Sequence, residues 1–294
     1  MIKIEKTEVM GFDQAIRGMR NPMNSWGKSD SGICKGGNDG IGCINCSEPL
    51  AINNICDHKY DHSFKVGRND YELMMKLVRG GPVHAKFRRM IIVYADITAP
   101  LYWWKGFDTY KVGTVANSCS TIHKIYEKEF TLEDFSCEHL LTSGDEGVFL
   151  GDWVPLYVLE HVIMVLNKQR DKYIATKDKT YWWQMIQLLP SSYNQKRTIM
   201  LNYEVLAGIY EHRKSHKLDE WKEFCKWIEG LPYYKVIIGQ KDVPEFMKCD
   251  GRACKHCSPE CQHTTDILHA KNFEIGIDGI TMVERPNNKE GSNE

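Results

Sequence analysis

Two sets of residues in this sequence have the types and spacing that chemistry needs. The first is one continuous stretch from Asp96 to Lys124, DITAPLYWWKGFDTYKVGTVANSCSTIHK. Tyr102, Trp103, Trp104, Phe107 and Tyr110 give it flat apolar faces. Thr98, Thr109, Thr114, Asn117, Ser118, Ser120 and Thr121 give it hydrogen-bonding groups, and Lys105, Lys111 and Lys124 give it positive charge. Rings stack, hydroxyls and amides read edges, and cations hold phosphate. The mixture therefore suits a planar, polar, anionic ligand. It is equally the composition of a Trp-rich core segment flanked by a polar turn.

The second set is cysteine. Eight of the eleven cysteines fall in two clusters. Cys34, Cys43, Cys46 and Cys56 surround a C-x2-C pair in a loop rich in glycine, with His58 and His62 close behind. Cys249, Cys254, Cys257 and Cys261 follow the pattern C-x4-C-x2-C-x3-C, with His256, His263 and His269 nearby. Short spacers let two thiolates grip one metal from a tight turn, and neither segment has enough apolar residues to bury thiols as core. Both clusters are expected to bind metal, zinc first. An iron–sulfur cluster would need the same ligands, and the spacing does not demand it.

Composition narrows the partners. The formal net charge is −1, so no overall basic field announces nucleic acid. No apolar run is long enough to span a bilayer, and Met1 to Phe12 lacks the apolar core of a secretory signal. A cytoplasmic protein is the expectation, with its cysteines read as thiols or metal ligands before disulfides.

The elements that must position these groups are legible in outline. Met1 to Met10 reads as a strand. Ala15 to Asp30 is turn-rich after Ile16, and Arg17, Arg20, Ser25, Lys28 and Ser29 there read as an anion site or a solvated loop. Asn69 and Glu72 have capping-box spacing at the head of a helix that Gly80, Gly81 and Pro82 end. Met90 to Ile97 reads as a buried strand leading into the aromatic stretch. Thr131 is expected to open a helix, with Glu133 and Asp134 in its first turn. Further helices are expected over Trp153–Tyr173, Tyr181–Leu189, Lys196–His212 and Leu218–Ile228. FEIGI-DG-ITMVE, near the end, reads as a hairpin turning on Asp278-Gly279.

At this point a resemblance emerges. Ala99-Pro100-Leu101-Tyr102, then Lys105-Gly106, then Thr109-Tyr110-Lys111 resembles the signature of the flavin-dependent thymidylate synthases (ThyX-like proteins). There, A-P-aliphatic-aromatic leads to R-Q and then to R-H-R-x-x-S-x-N-E-x-S-x-R. With a one-residue shift, Asn117 and Ser120 fall on the family's Asn and second Ser. A second region agrees: Leu189-Pro190 precedes Asn202, and Arg213 lies eleven residues further on, followed by His216 and Trp221. The family places an Asn, an Arg and an H…W pair in that order. The resemblance spans roughly residues 16–221. It departs at the Arg-His-Arg triplet, which here is Thr109-Tyr110-Lys111, and at Asn-Glu, which here is Asn117-Ser118.

The resemblance implies an α+β fold with a mixed sheet packed with helices, to which the two Cys-rich metal-binding segments are added. With the residue reading of the cysteine clusters and the hairpin beside it, the chain is expected to divide into a ThyX-like domain over 1–235 with a Cys-rich insertion at 31–62, a metal-binding module with a hairpin over 236–285, and a disordered tail over 286–294. The implied reaction is reductive methylation of dUMP or a related pyrimidine nucleotide. Methylenetetrahydrofolate would supply the carbon and FAD, reduced by NADPH, the hydride, in a homotetramer. By the same resemblance, Tyr102, Trp103, Lys105, Thr109, Tyr110, Lys111 and Asn117 would hold the cofactor. Ser118, Ser120, Asn202 and Arg213 would hold the nucleotide, and no catalytic residue is assigned. Loss of the Arg-His-Arg triplet supports the other reading, a non-catalytic protein of this fold that binds a nucleotide or a partner and carries structural zinc modules.

Overall fold

A computed structural model describes residues 2–33, 64–147 and 154–239, together with the backbone of 273–276 and 279–282. Both cysteine clusters, the insertion that carries the first of them from Cys34 onward and the residues after 282 lie outside the described residues. The chain divides into two units, Met1–Gln240 and Lys241–Glu294.

In the first unit the elements follow in this order: β1 (Lys3–Met10), α1 (Phe12–Arg20), β2 (Gly32–Ile33), β3 (Phe64–Lys65), α2 (Arg68–Arg79), β4 (Ile92–Pro100), α3 (Leu101–Phe107) and β5 (Val115–Ser118). Then come α4 (Pro155–Thr176), α5 (Lys179–Leu188), β6 (Asn194–Asn202), α6 (Tyr203–Arg213), α7 (Asp219–Glu229) and α8 (Lys235–Ile238). The main sheet has four strands in the order β1-β4-β6-β5. It is antiparallel throughout rather than mixed. Pro100, where β4 ends, faces Asn194, where β6 begins, so the chain leaves and re-enters the sheet at one end and must run back the other way.

Alternation along β4 sets the layers. Val93, Ala95, Ile97 and Ala99 are buried, whereas Tyr94, Asp96 and Thr98 are not. The buried face meets Trp103, Trp104 and Phe107 of α3, Tyr203, Leu206 and Ile209 of α6, and Trp221, Phe224 and Ile228 of α7 in one core. A second cluster joins Leu159, Ile163 and Leu166 of α4 to Met185 of α5 and to Ile125, Phe130 and Phe135.

Several expected elements change. Lys196 to Asn202 was expected to be helical and is strand β6. Ile199 and Leu201 point into the core and Thr198 away from it, a period of two that helical spacing does not produce. The helix begins only at Tyr203, after Asn202. Thr131 does close a capping box with Asp134, but on a single 3-10 turn, Leu132–Asp134. Phe135 then turns extended into the second core, 3 % exposed, and bridges to Tyr193. Asn69 does not cap α2. The Asp30 carboxylate does, accepting the backbone N–H groups of Asn69 and Asp70 at 2.9 and 3.2 Å.

Gly11 joins β1 to α1 at φ +96°, and a Cβ there would collide with the carbonyl oxygen of Met90. In the second unit β7 (Phe273–Gly276) and β8 (Gly279–Met282) form the expected hairpin. Gly276 pairs with Gly279, which makes Gly279 a strand residue rather than half of the turn.

Candidate functional site

The aromatic stretch separates into a buried and an exposed half. Pro100 ends β4 in extended conformation and so fixes where α3 starts. On α3, Trp103 and Trp104 are 0 % and 1 % exposed. The Trp103 ring packs against Trp104, Phe107, Trp221 and Phe224, so the structure gives it a core position, with its faces taken up by other aromatic rings. Tyr102 is half-buried, and its hydroxyl donates to the Glu220 carboxylate and lies 3.1 Å from the Ser136 hydroxyl. Burial, and then Glu220, push the Tyr102 phenol up to about 12.

The exposed half carries the polar groups. Lys105 and Lys111 are exposed and make no ion pair among the described residues. Thr109 ends α3 with its hydroxyl donating to the Gly106 carbonyl at 2.7 Å. Gly113, at φ +79°, brings the loop onto the head of α6, where a Cβ would stand 2.9 Å from Asn202 Nδ2. The Thr114 hydroxyl is buried there without a partner. Asn117 and Ser118 sit on β5, the exposed edge strand, opposite Thr198 and Arg197 of β6. The Ser120 hydroxyl accepts the N–H groups of Ile122 and His123 and shapes the turn that follows. Asn202 caps α6 by accepting the Val205 N–H at 3.0 Å.

Two of the expected site residues are brought into direct contact. Arg213, in the last turn of α6, donates from Nε to the Tyr110 hydroxyl at 2.9 Å. Its guanidinium carbon lies 4.7 Å from the centre of the Trp221 ring and 5.6 Å from that of Tyr110. No carboxylate pairs with Arg213 among the described residues, and its two Nη groups make no hydrogen bond there. His216 lies edge-on to Trp221 and accepts the Leu218 N–H on Nδ1. Burial, and then the positive charges of Arg213 and Lys217, pull its pKa below the ordinary histidine value. The Arg213 Nη groups, without a partner among the described residues, are donors of the kind an anion accepts.

A second node lies beside it and was not anticipated. Arg197 lies over the Trp104 ring at 4.2 Å, donates to Asp108 at 2.7 Å and to Gln195 Oε1 at 3.0 Å. Gln195 in turn donates from Nε2 to the Cys119 carbonyl at 2.7 Å and accepts the Trp104 indole N–H on its backbone carbonyl at 2.9 Å. Arg197 and Gln195 alternate on one strand, a signal visible only once Lys196–Asn202 is read as a strand.

The arginines near the N-terminus divide. Arg17 is solvated and pairs with Asp13, whereas Arg20 is buried against Asp70. A hollow of about 480 Å³ lies between Arg20, Ser25, Lys28 and Glu72. Arg20 spends its donors on Asp70 and on the carbonyls of Ser25 and Lys28, so it is not the head of an anion site. Among the described residues no group of His, Cys, Asp and Glu is arranged to hold a metal ion. No helix of the described chain is long and apolar enough to cross a membrane.

No protein-family profile matches the sequence, and no curated protein does. Solved structures do. The flavin-dependent thymidylate synthase ThyX from Helicobacter pylori, complexed with FAD and dUMP, superposes with a TM-score of 0.50 at 14 % identity, over 81 % of this chain and 98 % of that one. The UMP/dUMP methylase PolB from Streptomyces cacaoi, bound with 5-Br dUMP, superposes with a TM-score of 0.50 at 12 % identity, over 81 % of this chain and 94 % of that one. The likeness read from Ala99–Ser120 and Asn202–Arg213 thus holds for the fold: this chain has the fold of the ThyX proteins.

The Helicobacter pylori protein is complexed with FAD. Among the described residues Lys105, Lys111 and Asn117 are exposed with no side-chain partner, and the Thr114 hydroxyl is buried without one. The exposed ammonium groups and amide have the donor chemistry that a diphosphate accepts. The Trp103 ring is enclosed in the core, so within one chain the fit is to the charged end of the cofactor.

Proposed function

We propose that this protein is a divergent, ThyX-like enzyme that binds a pyrimidine nucleotide and methylates it reductively. The observation that carries the reading is Arg213, its guanidinium carbon over the Trp221 ring and both Nη groups without a hydrogen-bond partner among the described residues, in a fold whose solved examples are bound to dUMP and 5-Br dUMP. Arg213 takes the anionic group of the nucleotide, and Asn202 sets the head of the helix that carries it. Ser118 and Ser120 stand at the edge strand for the base or the phosphate.

Lys105, Lys111, Thr109 and Asn117 hold the diphosphate side of FAD, with Tyr102, Trp103 and Tyr110 behind them as the wall that fixes this loop. Bound FAD, reduced by NADPH, supplies hydride, and methylenetetrahydrofolate supplies the carbon. The chain's own residues bind and orient. The open edge at β5 and the single-chain fit to only part of the cofactor support a homo-oligomer, a tetramer by analogy of fold, that completes the site. The two cysteine clusters are structural zinc modules, as their spacing and polar surroundings support. The compartment is the cytoplasm.

Equilibrium dialysis with FAD tests the reading. Binding in the micromolar range is the expected result, with a flavin spectrum in the purified protein. No binding at high micromolar concentration (on the order of 10⁻⁴ M) overturns the enzyme reading.

A second reading has its own observation. The triplet Thr109-Tyr110-Lys111 has two of its three side chains engaged within the chain: Thr109 bonds the end of α3, and Tyr110 bonds Arg213. That supports a non-catalytic binder of nucleotide or partner, which would bind dUMP without FAD.

A further inference from the structure

We infer that Tyr110 is a positioning residue for Arg213, one that decides which edge of the guanidinium meets the ligand. The inference rests on the proposal that Arg213 reads a nucleotide. An arginine offers a bidentate ligand two edges, Nε with one Nη, or the two Nη groups together. Here the first edge is occupied. Nε already donates to the Tyr110 hydroxyl at 2.9 Å. The guanidinium carbon lies over the Trp221 ring, 4.7 Å from its centre. Rotation of the fork is therefore opposed from two sides, and the Nη1–Nη2 edge is left for a pair of oxygens on one phosphorus. The ligand group is a terminal phosphate monoester.

Two neighbouring basic groups are already engaged. The His216 imidazole is turned to its own chain through Nδ1. Lys214 is drawn away to Glu211 at 3.0 Å. Tyr110 itself comes from the loop between α3 and β5, whereas Arg213 and Trp221 come from α6 and α7. The contact thus ties the loop to the helices and presets the arginine before any ligand arrives, which lowers the ordering cost of binding.

The experiment compares dUMP with deoxyuridine, its phosphate-free counterpart, on the full chain. Dissociation constants are measured by titration for the wild type, Tyr110→Phe, Arg213→Lys and the double variant, with thermal midpoints alongside. Tyr110→Phe keeps the ring and removes only the hydroxyl. It is expected to weaken dUMP roughly three- to tenfold, to leave deoxyuridine unchanged and to leave the thermal midpoint near that of the wild type. Arg213→Lys is expected to weaken dUMP more, and the double variant no further than Arg213→Lys alone.

If Arg213→Lys binds dUMP as the wild type does, the nucleotide reading of Arg213 is wrong and this inference falls with it. If Arg213→Lys loses affinity while Tyr110→Phe does not, the reading stands and the positioning role is refuted. Equal losses for dUMP and deoxyuridine in Tyr110→Phe would also refute it, because they would show packing rather than phosphate. Should Tyr110→Phe fail to fold, Tyr110→Leu replaces it, since it too removes the hydroxyl that accepts from Arg213 Nε. The same selective loss for dUMP is then required, and its absence refutes the inference.

Discussion

Arg20 and Asp70 meet in the interior as a closed ion pair: Arg20 Nε stands 2.6 Å from Asp70 Oδ1, with the side chains 5 % and 0 % exposed. The remaining Arg20 donors reach backbone carbonyls of the following loop. The second Asp70 oxygen gathers the Ser29 hydroxyl, the Asp30 and Ser31 N–H groups and the Ser31 hydroxyl. One carboxylate thereby organises the segment that leads from α1 to the capped head of α2.

Removing one partner leaves the other charge buried and uncompensated. Arg20→Met is expected to destabilise the protein by about 3–5 kcal/mol. Chemical denaturation, followed by fluorescence of the buried tryptophans, measures it. A loss within experimental error of zero would mean that the pair is not closed in solution.

The same carboxylate makes stability depend on acid. Burial alone would raise the Asp70 pKa, but the hydrogen bonds from Ser31, Ser29 and Arg20 outweigh it and hold the group below the ordinary carboxylate range. A depressed native pKa gives stability that is full above the unfolded value, about 4, and is lost as pH falls through the native value. Asp70→Asn should therefore be less stable than wild type at neutral pH, and the gap should narrow in acid. A gap independent of pH would refute this.

At the alkaline end the sign reverses with the group. The Tyr102 phenol, up to about 12, stays protonated in the native state after an unfolded tyrosine has ionised. Its contribution is complete below pH about 10 and declines as pH rises toward the native value. Tyr102→Phe should lessen the alkaline loss of stability, as measured by thermal midpoints across pH. An unchanged alkaline slope would show that the Tyr102 phenol is neither buried nor held against Glu220 in solution.

Gly11→Ala is a backbone test. It forces a left-handed residue and drives a methyl into the Met90 carbonyl. The cost should reach about 1–3 kcal/mol, seen as a lowered thermal midpoint. A midpoint equal to that of wild type would mean that the β1–α1 joint relaxes freely.

Metal content tests the cysteines. Protein prepared without chelator should carry two zinc ions per chain, one for Cys34, Cys43, Cys46 and Cys56 and one for Cys249, Cys254, Cys257 and Cys261. Each site would add on the order of 10 kcal/mol to a segment poor in core. One ion per chain would indicate a single or mixed site. No metal, with all eight thiols reactive, would remove the metal reading.

Much of the architecture was legible because periodicity reports burial directly. Strand β1 and helices α2, α4, α5 and α7 stand close to where their patterns put them. β6 escaped because Lys196, Arg197 and Thr198 interrupt its apolar alternation, and those residues are polar for reasons of tertiary contact. In the site, sequence spacing found Arg213 but could not tell that Tyr110 would meet it across 103 positions. Trp103 shows the converse difficulty. A flat ring suits stacking on a ligand and stacking in a core alike, and only the neighbours supplied by α7 decide between them.

The three bonds made by Gln195 bear on how the site's edge can move. An isolated edge strand frays residue by residue and exchanges its amide hydrogens quickly. Here β5 is followed at once by Cys119, whose N–H is held by Lys196 and whose carbonyl is held by the Gln195 amide. The backbone of Gln195 is bound to a tryptophan that is itself almost fully enclosed. Release of the edge at that end must disturb the residue on which Trp104 is anchored. The exchange clock of β5 should accordingly run with the slow opening of the interior, so that a surface strand keeps the time of the core.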